Sequence, residues 1–198
     1  MYKRQDERSR YLLVENRKVE NYVDMALYYA RMDAVYKDYM IAETNLQEVA
    51  QQVLLQNKYY LIQSHVKAEV ACPDTVYSDK KWIAFILNQL IQNSVKYGRS
   101  EGTHIQIVTK KTKSGVLLRV KDDGIGIPKE EIPRIFEKGF TGTNGRNRER
   151  STGMGLYLCR KLCDKLNIEI RAESAEGKGT EIILMFPVSD YLTGYRET

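Results

Sequence analysis

Two glycines one residue apart follow a pair of aspartates in the stretch Asp122-Asp123-Gly124-Ile125-Gly126. The alternating apolar residues 116–120 predict a buried strand, so Asp122 should lie at a strand end. Glycines there let the backbone approach a ligand closely, because no Cβ is in the way. An Asp-Gly pair is also typical of hairpin turns, but residues 127–131, with a proline near the front, indicate the start of a helix. The stretch therefore predicts a binding site.

A second pair of glycines, Gly153 and Gly155, lies where another helix is predicted to begin. The first backbone N–H groups of a helix have no intrahelical partner and carry the positive end of its dipole, which favours a phosphate. The preceding residues 138–152 are rich in Gly, Thr, Asn and Arg and nearly lack apolar side chains, which predicts a mobile loop. The cations that could fold over the phosphate are Lys138, Arg146 and Arg148.

A polar side chain interrupts the apolar face of the helix predicted over residues 79–97. Asn93 projects just inside the rim of that face, and a half-buried amide needs a partner. Its carbonyl oxygen suits a hard cation such as Mg²⁺, which would also bind phosphate oxygens and water. Gln89 and Lys96 lie on the adjoining edge, where each alone would be typical of an ordinary boundary residue.

Asp122 adds an element that could recognise a base. A carboxylate can accept a hydrogen bond from the exocyclic amine of adenine, and guanine has no amine at that position. A site for a base, a site for phosphate and a site for a divalent cation together match ATP bound with Mg²⁺. Other phosphate-binding patterns are absent, namely Gly-x-x-x-x-Gly-Lys-Ser/Thr, Gly-x-Gly-x-x-Gly and the His-Arg-Asp and Asp-Phe-Gly motifs of Ser/Thr/Tyr kinases.

Bulk properties limit the protein class. The chain has 198 residues, 42% of them hydrophobic, and a mean hydropathy of −0.49, which allows one compact domain plus an appendage or two small domains. No stretch has the apolar length of a membrane span or signal peptide, so the cytoplasm is the default compartment. The net charge of +5 is compatible with nucleic acid, an acidic protein or a phosphate-rich ligand. Cys72, Cys159 and Cys163 are predicted to be reduced core thiols.

Hydrophobic periodicity indicates the elements that must position these residues. A long amphipathic helix over about residues 10–37 is either packed on its own domain or half of a helical hairpin or dimer interface. After it the pattern predicts a mixed sheet covered on one face by helices. The predicted strands are 38–44, 66–71, 104–112, 115–120, 168–172 and 180–186, and the predicted helices are 45–63, 79–97 and 153–166.

Five motifs resemble, in the same order, the boxes of the catalytic ATP-binding part of bacterial sensor histidine kinases, in the GHKL superfamily. Residues 88–97 resemble the N box, 135–140 the F box, and 122–128, 151–156 and 177–180 the three glycine boxes. The resemblance covers residues 79–187. It implies the Bergerat type of α/β two-layer sandwich, an α+β arrangement with a mixed sheet, three helices on one face and a long preceding helix.

The resemblance also implies a function. The chain would transfer the γ-phosphoryl group of ATP, with Mg²⁺, to a histidine of the kinase, and a response-regulator aspartate would then receive it. Residues 1–37 would be the incomplete second helix of the dimerisation and phosphotransfer hairpin, 38–190 the catalytic ATP-binding domain and 191–198 a tail.

The motifs imply roles for individual residues. Asn93 would hold Mg²⁺, Asp122 would bind adenine, and Lys96 and Tyr97 would line the phosphates and sugar. A lid over residues 136–150 would close on the γ-phosphate. The implied ATP-binding residues are Asn93, Lys96, Tyr97, Asp122, Gly124, Gly126, Ile127, Phe136, Lys138, Thr141, Arg146, Arg148, Gly153, Met154, Gly155, Leu156 and Thr180.

Two departures from the family pattern bear on the chemistry. Gln89 lies four residues before Asn93, where the hydrolases of the superfamily have a water-activating glutamate, and an amide cannot act as a base. This favours phosphoryl transfer over hydrolysis. The phosphoacceptor motif, a histidine followed by an acidic residue and Thr-Pro, is missing, and His65 and His104 are predicted to be ordinary strand residues. The acceptor is therefore expected on an upstream segment outside this sequence.

The tyrosine-rich first helix and the stretch Asp79-Lys80-Lys81-Trp82 resemble small membrane-embedded sensors of low-GC Gram-positive bacteria that respond to peptide antibiotics. This implies a cytoplasmic domain tethered to the inner face of the membrane. The implied partners are a cognate response regulator, the dimerisation domain of the same kinase in a homodimer, and an ABC transporter, but no nucleic acid. Two rival classes remain: a GHKL ATPase or chaperone driven by dimer closure, and a basic nucleic-acid-binding protein.

Overall fold

The structure, a computed structural model, describes residues 39–143 and 152–188 together with Leu12, Glu15, Asn16, Val19, Val23 and 25–27. Its strands are β1 (Ala42–Asn45), β2 (Val66–Ala71), β3 (Thr75–Ser78), β4 (Thr103–Thr112), β5 (Gly115–Asp122), β6 (Glu169–Ser174) and β7 (Thr180–Pro187). Its α-helices are α1 (Leu46–Gln56), α2 (Lys58–Gln63), α3 (Lys80–Lys96) and α4 (Gly155–Lys165), and a 3₁₀ turn covers Ile132–Arg134.

The main sheet has five strands in the order β2-β4-β5-β7-β6. β2 runs parallel to β4 and the other neighbours are antiparallel, so the predicted mixed sheet is confirmed. Alternate residues of its strands, such as Ile107, Leu118 and Leu184, are fully buried against the helices. The predicted two-layer α/β arrangement with helices on one face is present.

The register of three neighbouring strands places polar residues in one row at the end of the buried face. Asp122 of β5 is opposite Thr180 of β7, and Thr180 is opposite Ser174 of β6. The next row inward, Val120, Ile182 and Ala172, is apolar. The buried face of the sheet therefore ends in a row of hydrogen-bonding groups at the point where strand β5 leads into the glycine-rich loop.

Helix α3 begins where its sequence predicts. The Asp79 carboxylate accepts hydrogen bonds from the backbone N–H of Lys81 at 2.9 Å and of Trp82 at 3.4 Å, which caps the first turn. The apolar face of α3 is buried in the core, and the last turn, which carries Asn93 and Lys96, points toward the glycine-rich loop. The cap and the apolar face together fix the direction in which Asn93 projects.

Several local predictions were wrong. The helix predicted over 45–63 breaks at Asn57, whose side-chain amide donates to the Val53 carbonyl at 2.8 Å and so ends α1. No strand was predicted at β3, yet β3 pairs with β1. Residues 127–131 do not form an α-helix; 127 and 128 have no regular secondary structure, and 129–131 form a turn that leads to the short 3₁₀ segment. His65 is a turn residue with φ of 53°, whereas His104 lies in β4 as predicted.

The long N-terminal helix is only partly within the described residues. Those between Leu12 and Leu27 are all helical, and Met25 packs against the core. Leu12, Val19, Val23 and Leu27 are 46–62% exposed, so this part of the stripe is open to a partner. The rest of the predicted 10–37 helix and the 191–198 tail lie outside the described residues. No helix in the described ranges is both long enough and apolar enough to span a bilayer.

The three cysteines are free and buried, as predicted. Burial raises the pKa of the Cys72 thiol to about 11 and that of Cys163 to about 12. These thiols stay protonated near neutral pH and act as packing residues.

Candidate functional site

A pocket opens at the polar end of the buried sheet face, between α3 and α4. Its walls are mainly apolar and carry a smaller number of polar groups, as is typical of sites for small molecules. The apolar lining consists of Leu90, Val120, Ile127, Pro128, Ile135, Phe140, Leu156 and Ile182, and the remaining lining of Asn93, Ser94, Tyr97, Asp122, Gly126, Glu131, Thr141, Gly142 and Thr180.

Asp122 is the most constrained polar group of the pocket and is only 9% exposed. Its Oδ1 accepts hydrogen bonds from Gly124 N at 3.0 Å and Thr180 N at 3.2 Å, and its Oδ2 accepts one from Ser94 Oγ at 2.8 Å. Burial raises the pKa of the carboxyl group, and these three hydrogen bonds oppose that shift. The side chain is therefore a fixed acceptor in the wall of a mainly apolar pocket.

The first and third glycine motifs pack backbone against backbone. The Gly177 N–H donates to the Ile125 carbonyl at 2.7 Å, and Ile125 N–H donates to the Tyr97 carbonyl at 3.0 Å. Gly126 has φ of 72°, and a Cβ there would overlap the Ala175 carbonyl oxygen. These bonds connect the end of α3, the loop after β5 and the β6–β7 turn into one rim around the pocket.

Three residues near the end of α3 were predicted to bind ATP, and two of them line the pocket while the third does not. Asn93 is half-buried and lines the pocket, as does Tyr97. Lys96 is not among the lining residues; its Nζ lies 5.7 Å from the centre of the Tyr97 ring, and burial lowers its pKa. Gln89 is 6% exposed and faces the start of α4, because a Cβ at Gly155 would lie 2.9 Å from its Oε1.

Helix α4 begins at Gly155, and the side chain of its N-cap residue, Met154, makes no capping hydrogen bond. Gly153 has φ of 64°, and its carbonyl accepts a hydrogen bond from Gly139 N–H at 3.1 Å. Leu156 lines the pocket, whereas Gly153, Met154 and Gly155 do not. The glycines therefore form the approach to a helix N-terminus beside the pocket, which suits a phosphate.

Of the predicted lid residues that the structure describes, Thr141 lines the pocket. Phe136 and Lys138 are not in the lining, and the Phe136 ring lies under the Arg160 guanidinium at 5.0 Å. Gly124, in the first glycine motif, is not in the lining either. Arg146 and Arg148 lie outside the described residues.

Several residues of the site were not among those predicted from the sequence, and four of them are polar or aromatic residues with identifiable contacts. Ser94 and Ser174 hydrogen-bond the Asp122–Thr180 row, Phe140 lines the pocket, and the Glu131 carboxylate accepts from Thr143 N at 2.8 Å and Thr143 Oγ1 at 2.7 Å. Ser94, which directly follows Asn93, and Phe140, which ends the stretch that resembles the F box, had a local signal.

The residues around the pocket fit a Mg²⁺ ion bound together with phosphates. The amide oxygen of Asn93 is a hard donor on the pocket wall. Among the described residues no group of three or more His, Cys, Asp or Glu could hold a metal. A single protein oxygen is typical of Mg²⁺ that takes its other ligands from phosphate and water.

Residues 78–190 match the model of one protein family, described as "Histidine kinase-, DNA gyrase B-, and HSP90-like ATPase". The chain belongs to this family. The match covers the sheet strands β4–β7, helices α3 and α4, and every residue that lines the pocket. The family is known for ATP-binding domains, which agrees with the nucleotide predicted from the glycine motifs.

Curated relatives narrow the type of domain. The chain is 34% identical over 174 residues to the sensor histidine kinase YxdK of Bacillus subtilis, covering 87% of this chain and 54% of that protein. It is 36% identical over 189 residues to the sensor protein kinase GraS of Staphylococcus aureus, covering 93% of this chain and 53% of GraS. The ATPase domain is thus of the sensor histidine kinase type, as predicted, and not of the chaperone type. The chain spans about half the length of these relatives.

Solved structures confirm the fold. The catalytic domain of the histidine kinase ThkA, in a nucleotide-free form, is 26% identical with a TM-score of 0.64, covering 75% of this chain and 97% of that one. ThkA in complex with the response regulator protein TrrA matches with a TM-score of 0.66 at 23% identity, covering 89% of this chain and 49% of that one.

Proposed function

We propose that this chain binds ATP with Mg²⁺ in the pocket and transfers the γ-phosphoryl group to a histidine that lies outside residues 1–198. The observation that carries the proposal is the buried Asp122 carboxylate, an acceptor held by three hydrogen bonds in the wall of a mainly apolar pocket. The exocyclic amine of adenine would donate to it, and the apolar walls would hold the flat ring. The phosphates would then extend toward Asn93 and the start of α4.

In the transfer step, an imidazole nitrogen of the acceptor forms a bond to the γ-phosphorus while the bond from that phosphorus to the bridging oxygen breaks, and ADP leaves. The chain's share is to position the nucleotide and to stabilise its charge. Asn93 would hold Mg²⁺, which supplies charge neutralisation on the phosphate oxygens when bound. The N-terminus of α4 would add uncompensated N–H groups.

One feature favours transfer over hydrolysis: Gln89, in the position of a hydrolytic base, is buried against Gly155 and does not line the pocket. A separate observation concerns the acceptor. His65 is in the turn before β2, and His104 Nε2 lies 3.2 Å from Glu69, where β2 pairs with β4. Neither histidine lines the pocket, which supports an acceptor on another segment.

The partners follow from the same proposal. Residues 1–37 would belong to the dimerisation and phosphotransfer hairpin, and the exposed apolar stripe of Leu12, Val19, Val23 and Leu27 supports a partner helix there. A response regulator would receive the phosphoryl group, as the complex of ThkA with TrrA suggests by analogy. The resemblance to peptide-antibiotic sensors extends the proposal to a domain held at the inner membrane face beside an ABC transporter.

We expect the isolated chain to bind ATP and yet take up no label from γ-labelled ATP, because no histidine lies at the pocket. Adding the upstream helix of the kinase, covalently or in trans, should then produce label that is acid-labile and base-stable, as on a phosphohistidine. Autoradiography after acid or base treatment measures both results. Label on the isolated chain that disappears in His65→Gln or His104→Gln would contradict the proposal.

Replacing Asn93 with alanine should remove the Mg²⁺-dependent part of the nucleotide affinity and leave the fold intact. The side chain is half-buried at the pocket wall, where its oxygen is the proposed ligand of the ion. Calorimetry with a non-hydrolysable ATP analogue, with Mg²⁺ or EDTA, measures the difference. Gln92→Ala is the matched control, since Gln92 is a half-buried amide on the same helix that does not line the pocket. An unchanged Mg²⁺ effect in Asn93→Ala would exclude Asn93 as the ligand.

A further inference from the structure

The hydroxyl group of Ser174 lies where the first and third glycine motifs meet. Ser174 is the last residue of β6 and is half-buried. Ile127 N–H donates to its Oγ at 2.9 Å, its Oγ donates to the Gly179 carbonyl at 2.7 Å, and it lies 3.0 Å from Thr180 Oγ1. Ser174 thus contacts three groups of the pocket rim without lining the pocket itself.

Counting protons fixes the direction of the hydrogen bond between the two hydroxyl groups. A serine hydroxyl has one proton to donate and two lone pairs that accept. A carbonyl oxygen can only accept, so the Ser174 proton is used on Gly179. The Ile127 N–H occupies one lone pair, and the Thr180 hydroxyl must therefore donate its own proton to the other.

This direction decides what Thr180 offers to a ligand. Thr180 lines the pocket, and its single hydroxyl proton points away from the pocket toward Ser174. Only the lone pairs of its Oγ1 remain for a bound molecule. Asp122, next to it in the row, is also an acceptor, because the one proton between Ser94 and Asp122 is given by the serine. The row thus presents two neighbouring acceptors.

We propose that Ser174 is a positioning residue that holds the Thr180 hydroxyl as an acceptor and thereby makes the pocket select a 6-amino purine over a 6-oxo purine. The inference rests on the proposed function, since it assumes a purine nucleotide in this pocket. An amino group has two N–H donors, one for each acceptor of the row. A 6-oxo group would instead place lone pairs against lone pairs, which is unfavourable in a desolvated site.

Ser174→Ala separates this role from simple support of the loop. Without its acceptor, the Thr180 hydroxyl can rotate and donate into the pocket, where it accommodates a 6-oxo group. We expect the ratio of ATP to ITP affinities to fall about tenfold, in the range for loss of one polar discrimination. ITP is the suitable competitor because it has the 6-oxo group without the 2-amino group of GTP. Ser174→Thr retains the hydroxyl and should keep the ratio near that of the unmodified chain.

The decisive measurement is a double-mutant cycle with Thr180→Val, measured by calorimetry on the whole chain. If Ser174 acts through the Thr180 hydroxyl, Ser174→Ala should not change the ATP:ITP ratio further once Thr180 is valine. Equal effects of Ser174→Ala in both backgrounds would overturn the proposal, because the serine would then act through the loop. The proposal would also be overturned if Ser174→Ala left both the ATP:ITP affinity ratio and the unfolding midpoint unchanged.

The unmodified chain alone also tests the inference, should Ser174→Ala not fold. The inference requires tighter binding of ATP than of ITP; equal affinities would overturn it and leave the proposed function standing. Failure to bind either nucleotide would overturn both the inference and the proposed function. The two failures are therefore distinguishable in one titration series.

Discussion

Replacing Gly126 with alanine should destabilise the chain by more than the same change at Gly177, although both residues adopt nearly the same left-handed backbone. Their φ angles are 72° and 75°. At Gly126 a Cβ would overlap the Ala175 carbonyl oxygen and lie 2.8 Å from its carbon, whereas at Gly177 nothing lies within 4 Å. The left-handed conformation costs an L-residue about 1–2 kcal/mol at either position, and the backbone overlap adds about 1–3 kcal/mol at Gly126 only.

The difference between the two variants isolates the close approach of the two loops. Urea unfolding of both, with the unchanged chain as reference, gives the two free energies of unfolding. Gly126→Ala should also weaken ATP binding, because relief of the overlap moves Ile127, a lining residue whose N–H is bound to Ser174. Gly177→Ala should bind ATP nearly normally. Equal losses of stability in the two variants would contradict this prediction, because they would show that the Gly126 and Ala175 loops can separate without cost.

Local chemistry explains which parts of the fold were predictable. Asp79 with the apolar stripe behind it predicts the start and the buried face of α3, and alternation predicts β4, β5 and β7. The order of the strands was not predictable, since a parallel neighbour such as β2 for β4 depends on a crossover that leaves no local pattern. The short strand β3 and the helix break at Asn57 depend on partners that are distant in sequence, β1 and the Asn88 side chain, which only the folded chain brings together.

The residues of the site were likewise predictable only where their neighbours along the chain mark them. Asp122, Asn93 and Gly126, which their neighbours along the chain mark as candidate binding residues, all line the pocket. Ser174 is 52 residues after Asp122 in sequence and reaches the site only through the β5–β7–β6 register. No spacing rule along the chain identifies such a residue. Lys96, which its motif predicts near the phosphates, has its ammonium group over the ring of Tyr97, and Tyr97 lines the pocket.

Asp122→Asn should abolish most of the ATP affinity and at the same time make the chain more stable at neutral pH. The amide has nearly the shape of the carboxylate, and its Oδ1 can accept from Gly124 and Thr180 as before. Its Nδ2 can donate to Ser94 Oγ, which is able to accept. The hydrogen bonds within the protein therefore survive. The remaining N–H of the amide, however, would face the amine of adenine, and the loss should be about 1.5–3 kcal/mol, or about ten- to a hundredfold.

The gain in stability follows from the direction of the pKa shift. Burial raises the pKa of Asp122 in the folded chain above its value in the unfolded chain, so folding favours the protonated form. The stability that this shift contributes is fully present at pH values below the pKa that Asp122 has in the unfolded chain. It is lost as the pH rises through the higher pKa that Asp122 has in the folded chain. Asparagine does not titrate and avoids that loss. The difference in unfolding free energy between Asp122→Asn and the unchanged chain should thus grow with pH through the acidic range and level off near neutrality.

Asp123→Asn is the matched control, because Asp123 is the adjacent exposed aspartate, accepts the backbone N–H of His104 at 2.8 Å and does not line the pocket. It should leave ATP affinity nearly unchanged. Urea unfolding at a series of pH values and calorimetry with ATP at one pH, on both variants, separate the two effects. A stability difference for Asp122→Asn that stays constant with pH would show that the carboxylate is not destabilised by its burial. An ATP affinity unchanged by Asp122→Asn would mean that the adenine amine does not meet this side chain, and the polar row would then serve the fold instead of the ligand.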